Sequence, residues 1–322
     1  MKSVRKARKT ACLPGFCALL FFVAGYGKIL RKLFKGQLIR QERGEAMTVG
    51  NAIMAGIIYA LTEVFALSGT GHLAVVNKLF DLNLTESHLL FKAFTEFAVM
   101  LALILAYRRD IAAMIRDTAG LTGFGKRPRS KEARFPEARL LFMLVMATLP
   151  LLVMVPFRSD YFRLWTSTTF VGAMFLLNGA VLLIAELMLP GKKGLGRMSV
   201  PNALIIGICQ AVAVIPGLSR LTLTLTAGEA EGFQKNYSIR FGLLLAIPAL
   251  FGSFILSLAD AATAGINTEY IAAYAIGAAA ALVAAFFGVY LFRRLARKRG
   301  FGALAYYSWV IGVLTIILTL IF

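Results

Sequence analysis

The chain has 322 residues, 59% of them hydrophobic and 16% charged, with a formal net charge of +19. A soluble domain is about half apolar and a quarter charged, so this composition excludes an ordinary soluble globular protein. The basic excess is no nucleic-acid footprint, because Lys and Arg gather in short stretches between long apolar runs, as the positive-inside bias of membrane proteins dictates.

The N-terminus comes first. Lys2–Lys9 is basic and Ala11–Tyr26 is apolar but short, since a span takes about 20 residues. This stretch resembles a signal peptide or anchor without a convincing small-residue cleavage site. Gly27–Ala46 sets Ile29, Leu30, Leu33, Phe34 and Leu38 against Lys28, Arg31, Lys32 and Lys35. That pattern suits an anionic membrane surface. Residues 1–46 are read as an extension, with Met47 as an alternative start. Residues 47–322 are read as a single membrane-embedded domain.

Gly56–Gly71 (GIIYALTEVFALSGTG) is an apolar run that breaks at a small, hydroxyl-bearing tip. Spans are expected next at Phe91–Tyr107 and Leu140–Phe157, separated by the basic interval Arg108–Arg139. A third span, Thr168–Leu189, leads to Lys192, Lys193 and Arg197. A second broken run follows at Gly207–Thr222 (GICQAVAVIPGLSRLT). It echoes the first: both open Gly-Ile, Ala60 matches Ala211, and Leu67-Ser68 matches Leu218-Ser219. Spans at Phe241–Ala259, Tyr270–Phe292 and Ala303–Phe322 complete the chain. The runs are continuous rather than alternating, which disfavours a β-barrel. The fold class is therefore all-α and polytopic, with about six full spans.

The basic loops 108–139, 191–197 and 293–299 are expected on the cytoplasmic side and 260–269, which has no Lys or Arg, outside. Arg158–Arg163 is also expected outside. This alternation makes the first broken run enter and leave on the outer side and the second on the inner side. Two re-entrant hairpins of opposite orientation form an inverted internal repeat, with halves at about 47–157 and about 200–292. Two ordinary spans kinked at Gly and Pro are the alternative. Non-helical backbone at membrane depth needs protein or a water-filled cavity around it. The tips Ala66–His72 and Ile215–Thr222 are thus expected to meet in one cavity.

Polar groups in so apolar a chain are costly and need partners. Glu63, Ser68, Thr70 and His72 lie on the first hairpin, and Ser219, Arg220, Thr222 and Thr224 on the second. An acid, hydroxyls, an imidazole and a guanidinium make a set suited to phosphate. Arginine offers phosphate a bidentate fork. The Ser68-Gly69-Thr70-Gly71 tip can form an anion nest, and helices leaving both tips aim positive ends at one point. A Glu–Arg pair that only braces the hairpins is the plainer reading. His88 is expected at the surface. Glu96 and Glu186 are expected as lone structural carboxylates, and Tyr306, Tyr307 and Trp309 as an interfacial aromatic belt. Cys12, Cys17 and Cys209 show no metal spacing.

Leu61–Leu73 (LTEVFALSGTGHL) resembles the first signature of the bacterial undecaprenyl-diphosphate phosphatases, or bacitracin-resistance proteins, E-G-x-T-E-F-x-P-V-S-S-T-G-H-L. Gln210–Arg220 (QAVAVIPGLSR) resembles the second, Q-x-x-A-x-I-P-G-T-S-R-S-G. RFGLLLAIPA (Arg240–Ala249) and the FTEF segment also fit, and the likeness covers roughly Thr48–Phe322. The resemblance implies hydrolysis of undecaprenyl diphosphate to the monophosphate and inorganic phosphate, in service of cell-wall peptidoglycan synthesis. It implies the bacterial inner membrane and a cavity open to the periplasm or exterior. By position it assigns catalysis to Glu63, Ser68, Thr70, His72 and Arg220. Gly69, Gly71, Gly217, Ser219, Thr222 and Tyr59 are expected to bind substrate. A divalent cation, Mg or Ca, is expected at Glu63; no other cofactor is expected. The partners expected are the polyprenyl diphosphate, the membrane and a second copy of the chain as homodimer, with no nucleic acid.

This chain departs from the pattern at the tips. The first motif glutamate is Tyr59, the proline is Ala66, the second serine is Gly69, and the Ser-Gly after the arginine is Leu221-Thr222. Either Ser68 or Thr70 then attacks, or His72 forms a phospho-enzyme or activates water. A homologue that binds or translocates a polyprenyl phosphate or phospholipid without hydrolysis is the alternative.

Overall fold

The computed structural model describes residues 47–80, 82, 84, 88–121, 136–189, 191–265 and 268–321. The extension 1–46, with its expected signal-like and amphipathic segments, lies outside the described residues, as does 122–135. The described chain is helical: α1 Val49–Val64, α2 Gly69–Phe80, α3 Leu89–Ala106, α4 Arg108–Leu121, α5 Pro136–Leu152 and α6 Arg158–Thr166. Then come α7 Thr168–Leu187, α8 Val200–Val212, α9 Arg220–Ala230, α10 Lys235–Ala264, α11 Ile271–Arg299 and α12 Gly302–Ile321. Among the described residues the β structure is a single bridge, Lys193 with Phe233. The all-α polytopic reading holds.

Five helices, α3, α7, α10, α11 and α12, are long and apolar enough to cross a bilayer. The expected span Leu140–Phe157 is not one straight helix. Pro150 lies within α5, a 3-10 turn follows at Val155–Phe157 with Pro156 in it, and the chain bends by 40° into α6. Proline removes a backbone donor and crowds the preceding turn. The interval Arg108–Arg139 is also not all loop, because Arg108–Leu121 is helical and buries Met114 and Gly120.

Each echoing segment is a helix–break–helix hairpin whose arms pack together: α1 with α2, and α8 with α9. The hairpins are held in matching ways. α1 lies on α11 and α8 lies on α5. A side chain at Gly56 would strike the Gly277 carbonyl, and one at Gly207 the Ala147 carbonyl. The two glycines that open the echo therefore make equivalent close contacts, the small-residue packing that brings apolar helices together.

Contacts also sort the helix ends into two groups. Arg158 pairs with Asp260, His88 Nδ1 hydrogen-bonds Tyr274 Oη at 2.6 Å, and Thr319 meets Thr168. These unite the stretches expected outside. Arg240 pairs with Asp110 and Glu137 at 2.6 and 2.8 Å, and Arg139 Nη2 donates to the Met198 carbonyl. Lys235 pairs with Glu186, and Arg293 covers the Tyr107 ring. The basic stretches thus share the opposite end. His88 is not a surface residue but 1% exposed, set against the rings of Tyr270 and Tyr274. Its apolar neighbours come from α11, distant in sequence.

Gly56→Val and Gly207→Val should each destabilise the folded protein by about 1–3 kcal/mol through overpacking. Gly50→Val, where an added carbon meets only Thr48 Oγ1 at 4.0 Å, should stay near wild type. Unfolding in detergent checks all three.

Candidate active site

The hairpin tips meet. α1 ends at Val64, and α2 begins at Gly69 after a sharp reversal in which Ala66 (φ 62°) and Ser68 (φ 66°) take the left-handed conformation. Non-glycine residues rarely adopt it, at a cost of about 1–3 kcal/mol each. Proline cannot reach that φ at all. The alanine at the motif's proline position therefore goes with a turn that proline would forbid. In the second tip Gly217 takes φ 95°. A Cβ on Gly71 would lie 2.8 Å from Gly217 Cα, so the tips touch backbone to backbone.

Side chains lock this contact. Ser68 Oγ accepts from Gly217 N at 3.2 Å and Gly71 N at 3.3 Å. Thr222 Oγ1 donates to the Ala66 carbonyl at 2.7 Å. Asn178, fully buried on α7, donates through Nδ2 to the Ala66 carbonyl and to Ser308 Oγ, and accepts Ser219 N at 3.0 Å. Ser219 caps α9 by accepting from Thr222 N. A lone asparagine within an apolar span was the signal for Asn178, and it is a residue that motif reasoning passed over.

Across the tips, Arg220 reaches back to α1. Its Nη2 and Nε lie 2.8 and 3.1 Å from Glu63 Oε1, with both side chains almost buried. Glu63 Oε2 accepts from Gly69 N at 3.1 Å, the first residue of α2. The carboxylate therefore takes the guanidinium fork and a helix N-terminal donor, the partners a phosphate oxygen would want. A Cβ at position 69 would come within 2.7 Å of Glu63 Oε2 and 2.8 Å of the Tyr59 carbonyl oxygen. Glycine at the motif's serine position is what lets Glu63 close over the tip. Tyr59 is fully buried, its hydroxyl beside the charges of Glu63 and Arg220.

His72 is 5% exposed. Its Nδ1 donates to the Ser68 carbonyl at 2.9 Å, since a carbonyl only accepts. Its Nε2 hydrogen-bonds Tyr307 Oη at 3.0 Å, and the two rings stack. Both ring nitrogens are thus engaged. Tyr307 belongs to this inner network rather than to an interfacial belt, and Trp309 Nε1 donates to the Leu176 carbonyl. Tyr306 is exposed.

Beside the tips opens a cavity of about 520 Å³. Of the expected catalytic residues, Glu63, Thr70 and Arg220 line it; Ser68 and His72 stand behind the wall. The expected substrate contacts Tyr59, Gly69, Gly71, Gly217, Ser219 and Thr222 are likewise off the wall, where they shape the tips. Trp165 Nε1 fixes the tip from the α6 side by donating to the Thr70 carbonyl at 2.8 Å. The rest of the lining comes from α10, the α5–α6 bend, the start of α3 and the second tip. It is apolar at Leu151, Val155 and Pro248 and charged at Lys92, Arg158 and Asp260. Glu96 is not a lone carboxylate: it accepts from Ser253 and Ser257 at 2.5 and 2.8 Å and pairs with Lys92 at 3.8 Å. Glu186 accepts from Phe301 N at 2.5 Å and pairs with Lys235. At its tip end the cavity joins the Arg220 guanidinium, the Thr70 hydroxyl and the first turns of α2 and α9 to an apolar wall.

Ala66→Pro, which restores the motif residue, should destabilise the protein by about 3 kcal/mol. Ala66→Gly should not destabilise it, since glycine takes a positive φ without steric cost. Equilibrium unfolding of both variants checks the turn.

Residues 52–314 match the family model described as bacitracin resistance protein BacA. A protein of Methanobrevibacter smithii named undecaprenyl-diphosphatase is 32% identical over 273 residues, 83% of this chain and 96% of that protein. Its namesake from Halothermothrix orenii is 30% identical over 277 residues, 86% of this chain and 100% of the relative. That of Geobacter sulfurreducens is 30% identical over 270 residues, 83% and 96%.

Proposed function

The chain belongs to the bacitracin resistance protein BacA family, and on that footing we propose that it hydrolyses undecaprenyl diphosphate, or a related polyprenyl diphosphate, to the monophosphate and inorganic phosphate. The observation that carries this reading is one cavity that joins Arg220, Thr70 and Glu63 to an apolar wall. A lipid diphosphate has the same division, an anionic head and a hydrocarbon tail.

Arg220 binds the terminal phosphate, taking its oxygens in place of Glu63, and stabilises charge as it builds on them. Of the two tip hydroxyls Ser68 and Thr70, Thr70 is the one on the cavity wall, beside Arg220 and Glu63, so we assign it the attack on the terminal phosphorus. The bond from that phosphorus to the bridging oxygen breaks, and the lipid monophosphate leaves. Glu63, released from the guanidinium, takes the threonine proton and later deprotonates the water that frees inorganic phosphate. Ser68 and His72 act one layer back: Ser68 ties the tips together, and His72, with both nitrogens engaged, fixes the turn through the Ser68 carbonyl. The carrier reading keeps Arg220 as a binding group but gives Thr70 no purpose on the wall.

Glu63 is the carboxylate expected to hold a divalent cation. Its oxygens already meet Arg220 and Gly69 N, and among the described residues no three His, Cys, Asp or Glu side chains stand together as a metal site. That donor set does not fit a resident ion. For localisation we propose a bacterial inner membrane, with the two hairpins re-entrant and the cavity opening outside. The supporting feature is that the Arg158–Asp260 end of the cavity lies opposite the basic end. A homodimer belongs to the same proposal and is checked by the mass of the detergent-solubilised protein.

Phosphate release from a polyprenyl diphosphate by purified protein tests the reaction. Arg220→Ala should lower the rate by about 10²–10³-fold. Thr70→Ala should lower it at least as far, whereas Thr70→Ser and Ser68→Ala should stay measurable. A Thr70→Ala enzyme as fast as wild type would remove Thr70 as nucleophile. No release by wild type, with lipid still bound, would move the reading to the carrier.

A further inference from the structure

The cavity runs along α10 from Pro248 to Ala264, about 24 Å of helix. It is longer than a single phosphate group needs, and Arg220 is not the only cation on its wall. Lys92, in the first turn of α3, also lines it. We propose that Lys92 binds the second, lipid-linked phosphate of the substrate and so selects diphosphates over monophosphates. This rests on the diphosphatase reading of the same cavity.

The argument starts from Glu96. Its carboxylate is fully buried, and such a charge must be paired and hydrogen-bonded. Two hydroxyls from α10, Ser253 and Ser257, supply its hydrogen bonds at 2.5 and 2.8 Å. Lys92 Nζ supplies the charge from 3.8 Å, a distance for an ion pair but not for a hydrogen bond. Glu96 therefore tethers the ammonium without consuming its donors, and Lys92 has three. Ser253 and Ser257 lie on the cavity wall with it. Arg220 and Lys92 line the same cavity, so the two cations belong to one site. Arg158 is a weaker candidate, because Asp260 binds it directly. A diphosphate needs two cationic contacts along its length, and a monophosphate needs one. Lys92 is then a substrate-binding residue, and Glu96 positions it.

The test is steady-state kinetics of the purified full-length protein on a short soluble polyprenyl diphosphate. Lys92→Met should raise KM about tenfold, with kcat changed less than KM. Lys92→Arg should remain within about threefold of wild type. The double variant Lys92→Met/Glu96→Gln removes the buried charge left behind, so it should fold like wild type yet keep the raised KM. Inhibition by the polyprenyl monophosphate, whose one phosphate is the lipid-linked one, should weaken in step with the rise in KM. A KM within twofold of wild type for Lys92→Met, or recovery in the double variant, overturns the proposal, because the defect would then be buried-charge strain. If wild type releases no phosphate, the diphosphatase reading falls. The Lys92 inference is then read from a non-hydrolysable methylene-bisphosphonate lipid. Binding about tenfold weaker to the double variant supports it, and equal binding overturns it.

Discussion

A carboxylate and a guanidinium, taken out of water on two different hairpins, can stay charged only by meeting. The Glu63–Arg220 pair sets that condition here, and the surrounding structure follows from it. Breaking a buried pair costs about 3–5 kcal/mol because one charge is stranded, so neither hairpin is free to withdraw. Backbone contact between Gly71 and Gly217, with Ser68 and Asn178 as bridges, fixes how closely the tips approach. The close glycine contacts of Gly56 and Gly207 set the hairpins against α11 and α5. What remains between the tips and α10 is the cavity.

The same pair explains the altered motif. A serine at 69 would drive its Cβ into Glu63 and the Tyr59 carbonyl. Glycine there and a phenol at 59 leave Glu63 as the sole carboxylate at the tip, free to close on Arg220 and the start of α2. With Ala66 in a conformation denied to proline, the tip presents Thr70 to the cavity and turns Ser68 inward. On the mechanism proposed above, the attacking hydroxyl stands one residue along the tip, at Thr70 in place of the motif serine at 69. In the resting state Glu63 occupies the partners of a phosphate. On the proposed mechanism substrate binding exchanges one anion for another and sets the carboxylate free as base.

Much of this was legible in the sequence. Hydropathy found the spans, charge bias sorted the loops onto two ends, and the echo located both hairpins and the residues that meet there. The misses share a physical origin. His88 is buried by rings from α11, Leu140–Phe157 bends at its prolines, and Arg108–Leu121 forms a helix inside a polar interval. Each depends on neighbours far along the chain. Side-chain type also says nothing about direction. Ser68 and Thr70 sit two residues apart, yet only Thr70 faces the cavity. The Lys92–Glu96 pair was visible as an i, i+4 spacing, but its use required Ser253 and Ser257, which α10 brings from more than 150 residues away.

The most direct measurement is an experimental structure of the protein bound to a non-hydrolysable polyprenyl bisphosphonate. The account predicts the terminal phosphonate between Arg220 and the start of α2, with Thr70 Oγ1 facing its phosphorus and Glu63 displaced from the guanidinium. A ligand bound elsewhere, with the tips apart or Arg220 still closed on Glu63, would contradict it.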